Sequence, residues 1–185
     1  MEAKQPLDLA SVFPELDEIR DASIRSGVEA VWQELWRESE FESIEDLPTS
    51  VEIPYPHVKH NRAILAMAIA VADVFDRVHG VRVDRDVLLA AGLLQDVSKL
   101  VEYRPTAGGA ELTTLGQGYP HAFWAAHTAL THGLPDEICQ VIVSHSPTAS
   151  TFPSSLEGKI LYYVDQLDVI AIFGDRWRKE LFVTK

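Results

Sequence analysis

The 185-residue sequence has one cysteine, Cys139, so no intramolecular disulfide can form and no thiolate-rich metal site can be built. A reducing, cytoplasmic setting suits that composition. Positive charge is also scarce: 16 Lys and Arg stand against 28 Asp and Glu, a formal net charge of -12. Phosphate backbones are held by clustered cations, so a broad nucleic-acid surface is excluded and a small-molecule substrate is expected. The surplus acid reads first as a solvated surface and second as a field that draws divalent cations into a cleft. Long apolar runs are missing too, and nothing approaches the roughly 20 residues of a membrane span. The N-terminus, MEAKQPLDLASVFPELDEIR, lacks the basic region and apolar run of an export signal. The chain is therefore expected to be unexported, with no membrane partner.

What the sequence does have is helical periodicity. Apolar residues from Leu16 through Ile19, Ile24, Val28, Val31, Trp32, Leu35 and Trp36 predict an amphipathic helix over residues 15 to 40. Pro54 and Pro56 suit the start of a second helix, whose apolar face runs through Ile64, Met67, Ala68, Val71, Val74, Phe75 and Val78. Asp84 is a good cap for a third, DVLLAAGLLQDVSKL, apolar on nearly all sides and so central. The Gly- and Pro-rich stretch YRPTAGGAELTTLGQGYP reads as a long loop. Pro120 and Gly133 bracket a fourth helix, Pro135 opens a fifth, and Ser154 or Ser155 caps a sixth through LEGKILYYVDQLDVIAIF. The expectation is an all-α bundle of about six helices with no clear strand, no internal repeat and no linker to a second domain.

His60, Asp96, His121, His145 and Asp165 each lie on or at the end of a different predicted helix. A charged Asp amid apolar residues needs a partner, and convergence in a bundle core supplies one. Imidazole and carboxylate are natural ligands for iron, manganese and zinc, and such ions acidify bound water into a nucleophile near neutral pH.

The stretch LLAAGLLQDVSKL resembles the central helix of the HD phosphohydrolase superfamily, in which small and apolar residues lead into a His-Asp pair and then a Lys. HNRAILAMAIAVA resembles that family's first-histidine helix, HAFWAAHTAL its third, GLPDEICQVIVSHS its fourth and ILYYVDQLD its closing aspartate helix. The similarity spans roughly residues 55 to 170. Residues 1 to 50 are then an N-terminal helical extension, and 51 to 185 an HD-like domain with a metal pocket in the bundle core. The resemblance implies His60, Asp96 and Asp165 around one metal position, and Asp96, His121 and His145 around a second, with Asp96 bridging. One or two divalent ions, Fe, Mn or Zn, are implied.

The sequence departs from that pattern at Gln95, which stands where the family has a metal-binding histidine; an amide oxygen is a poorer ligand for a borderline metal. His57, three residues before His60, is either a replacement imidazole or a solvent-facing residue of the first helical turn. Lys99 contacts a substrate phosphate or carboxylate, or else pairs with Asp96. Arg104 binds an anionic group from the adjoining loop, or is a surface arginine. His79, His127 and His132 read as structural or exposed. Asp96 and Lys99 are the expected catalytic pair of a metal-dependent hydrolase of a small phosphorylated metabolite or nucleotide. The same pocket also suits an iron-dependent oxygenase or a hydratase or lyase, and a third reading is a degenerate binding domain. The Trp32 and Trp36 helix either packs across its own bundle or joins two copies as a homodimer.

Overall fold

Leu16 and Ile19 continue the apolar spacing of the residues after them, yet the chain breaks the helix expected there. In the computed structural model, which describes residues 4–172, a short helix α1 (Leu9–Val12) leads into a 3-10 turn at Pro14–Glu18, and α2 (Ala22–Glu38) starts only afterwards. The cause is Asp21, whose carboxylate accepts from the backbone N–H groups of Ser23 and Ile24 and so caps a new helix. Leu16 and Ile19 are still buried, from outside the helix. Along α2, Val28, Val31, Trp32, Leu35 and Trp36 face inward, and Trp32 Nε1 donates to the Leu93 carbonyl at 3.1 Å. Both tryptophans are thus buried within their own chain.

Strands β1 (Pro48–Ser50) and β2 (Ile53–Pro56) form an antiparallel hairpin that leads into α3 (His57–His79), with Pro56 at its cap. A proline there forfeits no helical hydrogen bond. The inward stripe of α3 is His57, His60, Asn61, Ile64, Leu65, Ala68 and Ala72. Val74 and Val78, expected on that face, are exposed: Ala72 is the last buried residue of α3, and the turns after it run beyond the packed part of the bundle.

Helix α4 (Arg85–Leu94) is capped as expected, Asp84 accepting from the Val87 N–H at 3.1 Å. A Cβ on Gly92 would lie 2.8 Å from Leu65 Cδ2 and 3.3 Å from Leu161 Cδ2, so the bare backbone there allows close packing against neighbouring helices. The helix does not run on to Leu100 as predicted. Gln95 to Ser98 form tighter turns, with Val97 N–H on the Leu94 carbonyl and Lys99 N–H on the Asp96 carbonyl, before a short α5 (Lys99–Glu102).

The predicted long loop is structured. It contains a second antiparallel hairpin, β3 (Tyr103–Thr106) with β4 (Gly109–Leu112), and a one-turn helix α6 (Thr114–Gly118) capped by Thr113. Strands of three or four residues are too short to show a period of two, which is why neither hairpin is legible in the sequence. A Cβ on Gly116 would sit 2.3 Å from the Glu102 carbonyl oxygen. Gly116→Ala therefore has to displace backbone at Glu102, and is expected to lower stability by about 1–3 kcal/mol in denaturant unfolding.

Helix α7 (Phe123–Thr131) begins later than Pro120 predicts, because Ala122 takes a left-handed conformation with φ 65°. It ends just before Gly133, and α8 (Asp136–Ser144) follows Pro135, both as expected. Helix α9 (Leu156–Ile172) starts at Ser155, whose Oγ accepts from the Gly158 N–H at 3.0 Å. Ile160, Leu161 and Val164 are buried in it, whereas Leu167, expected inside, is exposed. The last residue of that predicted helix, Phe173, and the remainder of the expected domain to residue 185 lie outside the described residues. The longer helices α2, α3, α4, α7, α8 and α9 are the six predicted, so the fold is the all-α bundle expected, with two short hairpins added. No helix among the described residues is long and apolar enough to cross a membrane.

Candidate metal centre

Asp96 sits at the break after α4 with 2% of its surface exposed, and side chains from four elements converge on its two oxygens. Oδ1 is 3.0 Å from His121 Nε2, just before α7, and 3.6 Å from His145 Nε2, at the end of α8. Oδ2 is 2.8 Å from Lys99 Nζ on α5 and 3.6 Å from His60 Nε2 on α3. Ligand atoms of Asp96, His121 and His145 all lie within 4.8 Å of one another, the one such trio among the described residues.

Two outer hydrogen bonds aim the imidazoles. His121 Nδ1 donates to Glu102 Oε2 at 2.9 Å, and His145 Nδ1 donates to the Ile142 carbonyl at 2.7 Å. Each ring is thereby committed to a tautomer whose Nε2 can ligate a metal towards Asp96, the arrangement that metal-binding histidines generally have. Glu102 Oε1 also accepts from the Ala122 N–H at 3.2 Å. The left-handed backbone of Ala122, unfavourable for a residue with a Cβ, is thus held by the same carboxylate that orients His121. Two imidazoles and one carboxylate are a donor set suited to first-row divalent ions, so these residues fit a metal. Glu102→Gln is expected to weaken metal affinity 10- to 100-fold, measurable by competition with a chromogenic chelator.

Electrostatics concentrate here. Burial disfavours charge on Asp96, but Lys99 and the three imidazoles outweigh it and hold the carboxyl well below its usual range. Burial likewise opposes the charge on Lys99, and Asp96 more than restores it. His121 is pushed up to about 9, burial being outweighed by Asp96 and Glu102.

On the other side of Asp96, His60 Nδ1 donates to Asp168 Oδ2 at 2.7 Å and its Nε2 lies 3.3 Å from Asp165 Oδ1. Burial is again overcome by these carboxylates and Asp96, and the imidazole is raised to about 10. His60, Asp96 and Asp165 are brought together but do not close to the 4.8 Å of the other trio. Asp168 and Glu102 were not anticipated. Asp168 lies one helical turn after Asp165 and Glu102 one turn after Lys99, which is the signal that spacing offered.

His57 is wholly buried, so the solvent-facing expectation is wrong: the first turn of α3 points into the bundle, and the ring lies 6.1 Å from that of Trp32. Burial pushes its pKa down to about 3. Neither ring nitrogen has a hydrogen-bond partner, and neither amide atom of Asn61 or of Gln95 does. An unsatisfied buried polar group costs about 1–3 kcal/mol, which sets this layer apart from ordinary apolar filling. His57 does not join the close trio, and Gln95, fully buried, does not line the cavity over it. Arg104 is exposed on β3, its Nη2 2.6 Å from Glu111 Oε1, and does not line the pocket. His79, His127 and His132 are exposed, the last 2.8 Å from Glu34 Oε2. Over the cluster lies a cavity of about 340 Å³, walled by His60, Asp96, Lys99, Tyr103, His121 and His145 among others.

The fold and site together define a helical bundle with a buried Asp-His-His cluster able to hold a metal ion. Among known proteins, the chain is similar to the dihydroneopterin 2',3'-cyclic phosphate phosphodiesterase of Methanocaldococcus jannaschii, at 28% identity over 131 residues. The match covers 68% of this chain and 53% of the relative, so the chain spans about half the length of the curated protein it matches. No family model matches the chain, and no solved structure does.

Proposed function

We propose that this protein is an HD-type, metal-dependent phosphohydrolase acting on a small phosphate ester, with the phosphodiester class favoured. The observation that carries this reading is the preset orientation of His121 and His145, each held through Nδ1 so that Nε2 faces Asp96. Asp96, His121 and His145 hold the ion, which when bound supplies a Lewis acid that polarises a phosphoryl oxygen and lowers the pKa of a bound water. The similarity to a phosphodiesterase supports the reaction class.

The remaining side chains supply orientation and charge. Glu102 holds the Nδ1 proton of His121. Lys99, buried and cationic beside Asp96, stabilises negative charge that develops on the phosphoryl oxygens. In hydrolysis, water oxygen bonds to phosphorus, the ester P–O bond breaks, and the leaving oxygen takes up a proton. Gln95 leaves the position beside His60 and Asp165 one imidazole short, so a single ion at Asp96, His121 and His145 is sufficient in this reading. The pocket of about 340 Å³ suits a small metabolite. A screen of generic phosphodiesters with added Mn²⁺, Fe²⁺ or Zn²⁺ tests the proposal: metal-stimulated ester cleavage is expected, and bound iron with no cleavage of any ester contradicts it.

A further inference from the structure

Most polar side chains on the wall of the metal pocket are held by one another: Lys99 by Asp96, Ser146 by Thr148 and Gln166 by Asp165. Tyr103, at the start of β3, lines the same pocket and is 8% exposed, and its hydroxyl makes no hydrogen bond within the described residues. Strand side chains alternate between faces. Arg104, the next residue, is exposed beside Glu111, so Tyr103 points the other way, into the bundle. Its ring also backs a neighbouring cavity that holds Glu38 and Arg104. The hydroxyl nevertheless belongs to the metal side. Burial pushes its pKa up to about 12, and the charges that act on it most are those of Lys99, Asp96, Glu102 and Glu52, not those of Glu38 or Arg104.

Packing alone does not call for that hydroxyl. In a buried wall, an oxygen with no partner favours phenylalanine over tyrosine, because desolvating an unbonded hydroxyl costs stability. The space over the cluster is what remains for it to bond, and a phosphoryl group there would present acceptor oxygens. Lys99, already paired with Asp96, offers such a group a partly neutralised charge. A phenol adds a neutral donor that the carboxylates of Asp96 and Asp165 do not cancel. We propose that the Tyr103 hydroxyl donates a hydrogen bond to a phosphoryl oxygen of the substrate, as a substrate-binding residue beside Lys99. The inference rests on the phosphohydrolase reading for the presence of a phosphoryl group, and adds to it a donor from the second hairpin.

The test compares wild type with Tyr103→Phe in the full-length, Co²⁺-loaded protein, whose visible absorption reports ligands that reach the metal. Inorganic phosphate and azide are the probes, since azide needs only an open metal position. Loss of one hydrogen bond to a charged group should weaken phosphate roughly 10- to 100-fold. Azide affinity, metal content and the thermal unfolding midpoint should stay as in the wild type, because Phe keeps the ring and its packing. Unchanged phosphate affinity in Tyr103→Phe, or equal weakening of phosphate and azide, overturns the proposal, as does a wild type that binds no phosphate. Phosphate binding needs no turnover, so a protein that shows the expected split between the probes yet cleaves no ester overturns the hydrolase reading alone.

Discussion

Replacing His145 by alanine should abolish metal retention. His145 is 2% exposed, its Nδ1 is committed to the Ile142 carbonyl, and its Nε2 is one of three close ligand atoms. Losing it leaves one imidazole and one carboxylate, too few to hold a divalent ion against water. Outer hydrogen-bonding partners are typically worth 10- to 100-fold in affinity, so loss of a direct ligand should exceed about 100-fold. His121→Ala should behave alike, and the exposed, ring-stacked His127→Ala should retain the ion, which separates loss of a ligand from general damage. Elemental analysis after dialysis reads all three. Metal content unchanged in His145→Ala would show that the ion sits elsewhere.

Asp96→Ala should cause the largest loss of stability of any single change at the centre. Lys99 Nζ is 2.8 Å from Asp96 Oδ2 and only 6% of the residue is exposed, so the substitution strands a cation in the core. Removing one partner of a buried pair typically costs about 3–5 kcal/mol, a large part of the roughly 5–15 kcal/mol that holds a domain folded. The double variant Asp96→Ala/Lys99→Met removes the stranded charge and should recover most of that loss without recovering metal binding. Denaturant unfolding of the two variants provides the comparison. Equal destabilisation would show that Asp96 matters to the fold through packing and not through charge.

The six long helices were legible because each has a cap or breaker in the sequence, such as Asp84, Pro135 or Ser155, and an apolar period near 3.6. The boundaries failed where one polar side chain outweighed that period, as at Asp21, or where the backbone tightened, as at Gln95 to Ser98. The hairpins were missed because strands of three or four residues show no period. At the site, a resemblance over short motifs located His60, Asp96, His121, His145 and Asp165, which the fold brings together around Asp96. It could not supply Glu102 or Asp168, whose roles depend on which way a histidine ring is turned. The inward direction of His57 was equally hidden, since a first-turn residue faces solvent or core according to the angle at which β2 delivers the chain. Lys99 was left open between substrate and Asp96, and its ion pair to Asp96 is what the fold provides.

The proposed phosphohydrolase activity depends on a metal ion held by Asp96, His121 and His145. Its most direct test is hydrolysis of bis(p-nitrophenyl) phosphate by chelator-treated protein titrated with Mn²⁺. Negligible cleavage is expected before titration, then a rise in parallel with metal uptake and saturation at one ion per chain. Cleavage indifferent to the chelator, or a protein that takes up no metal, would contradict it.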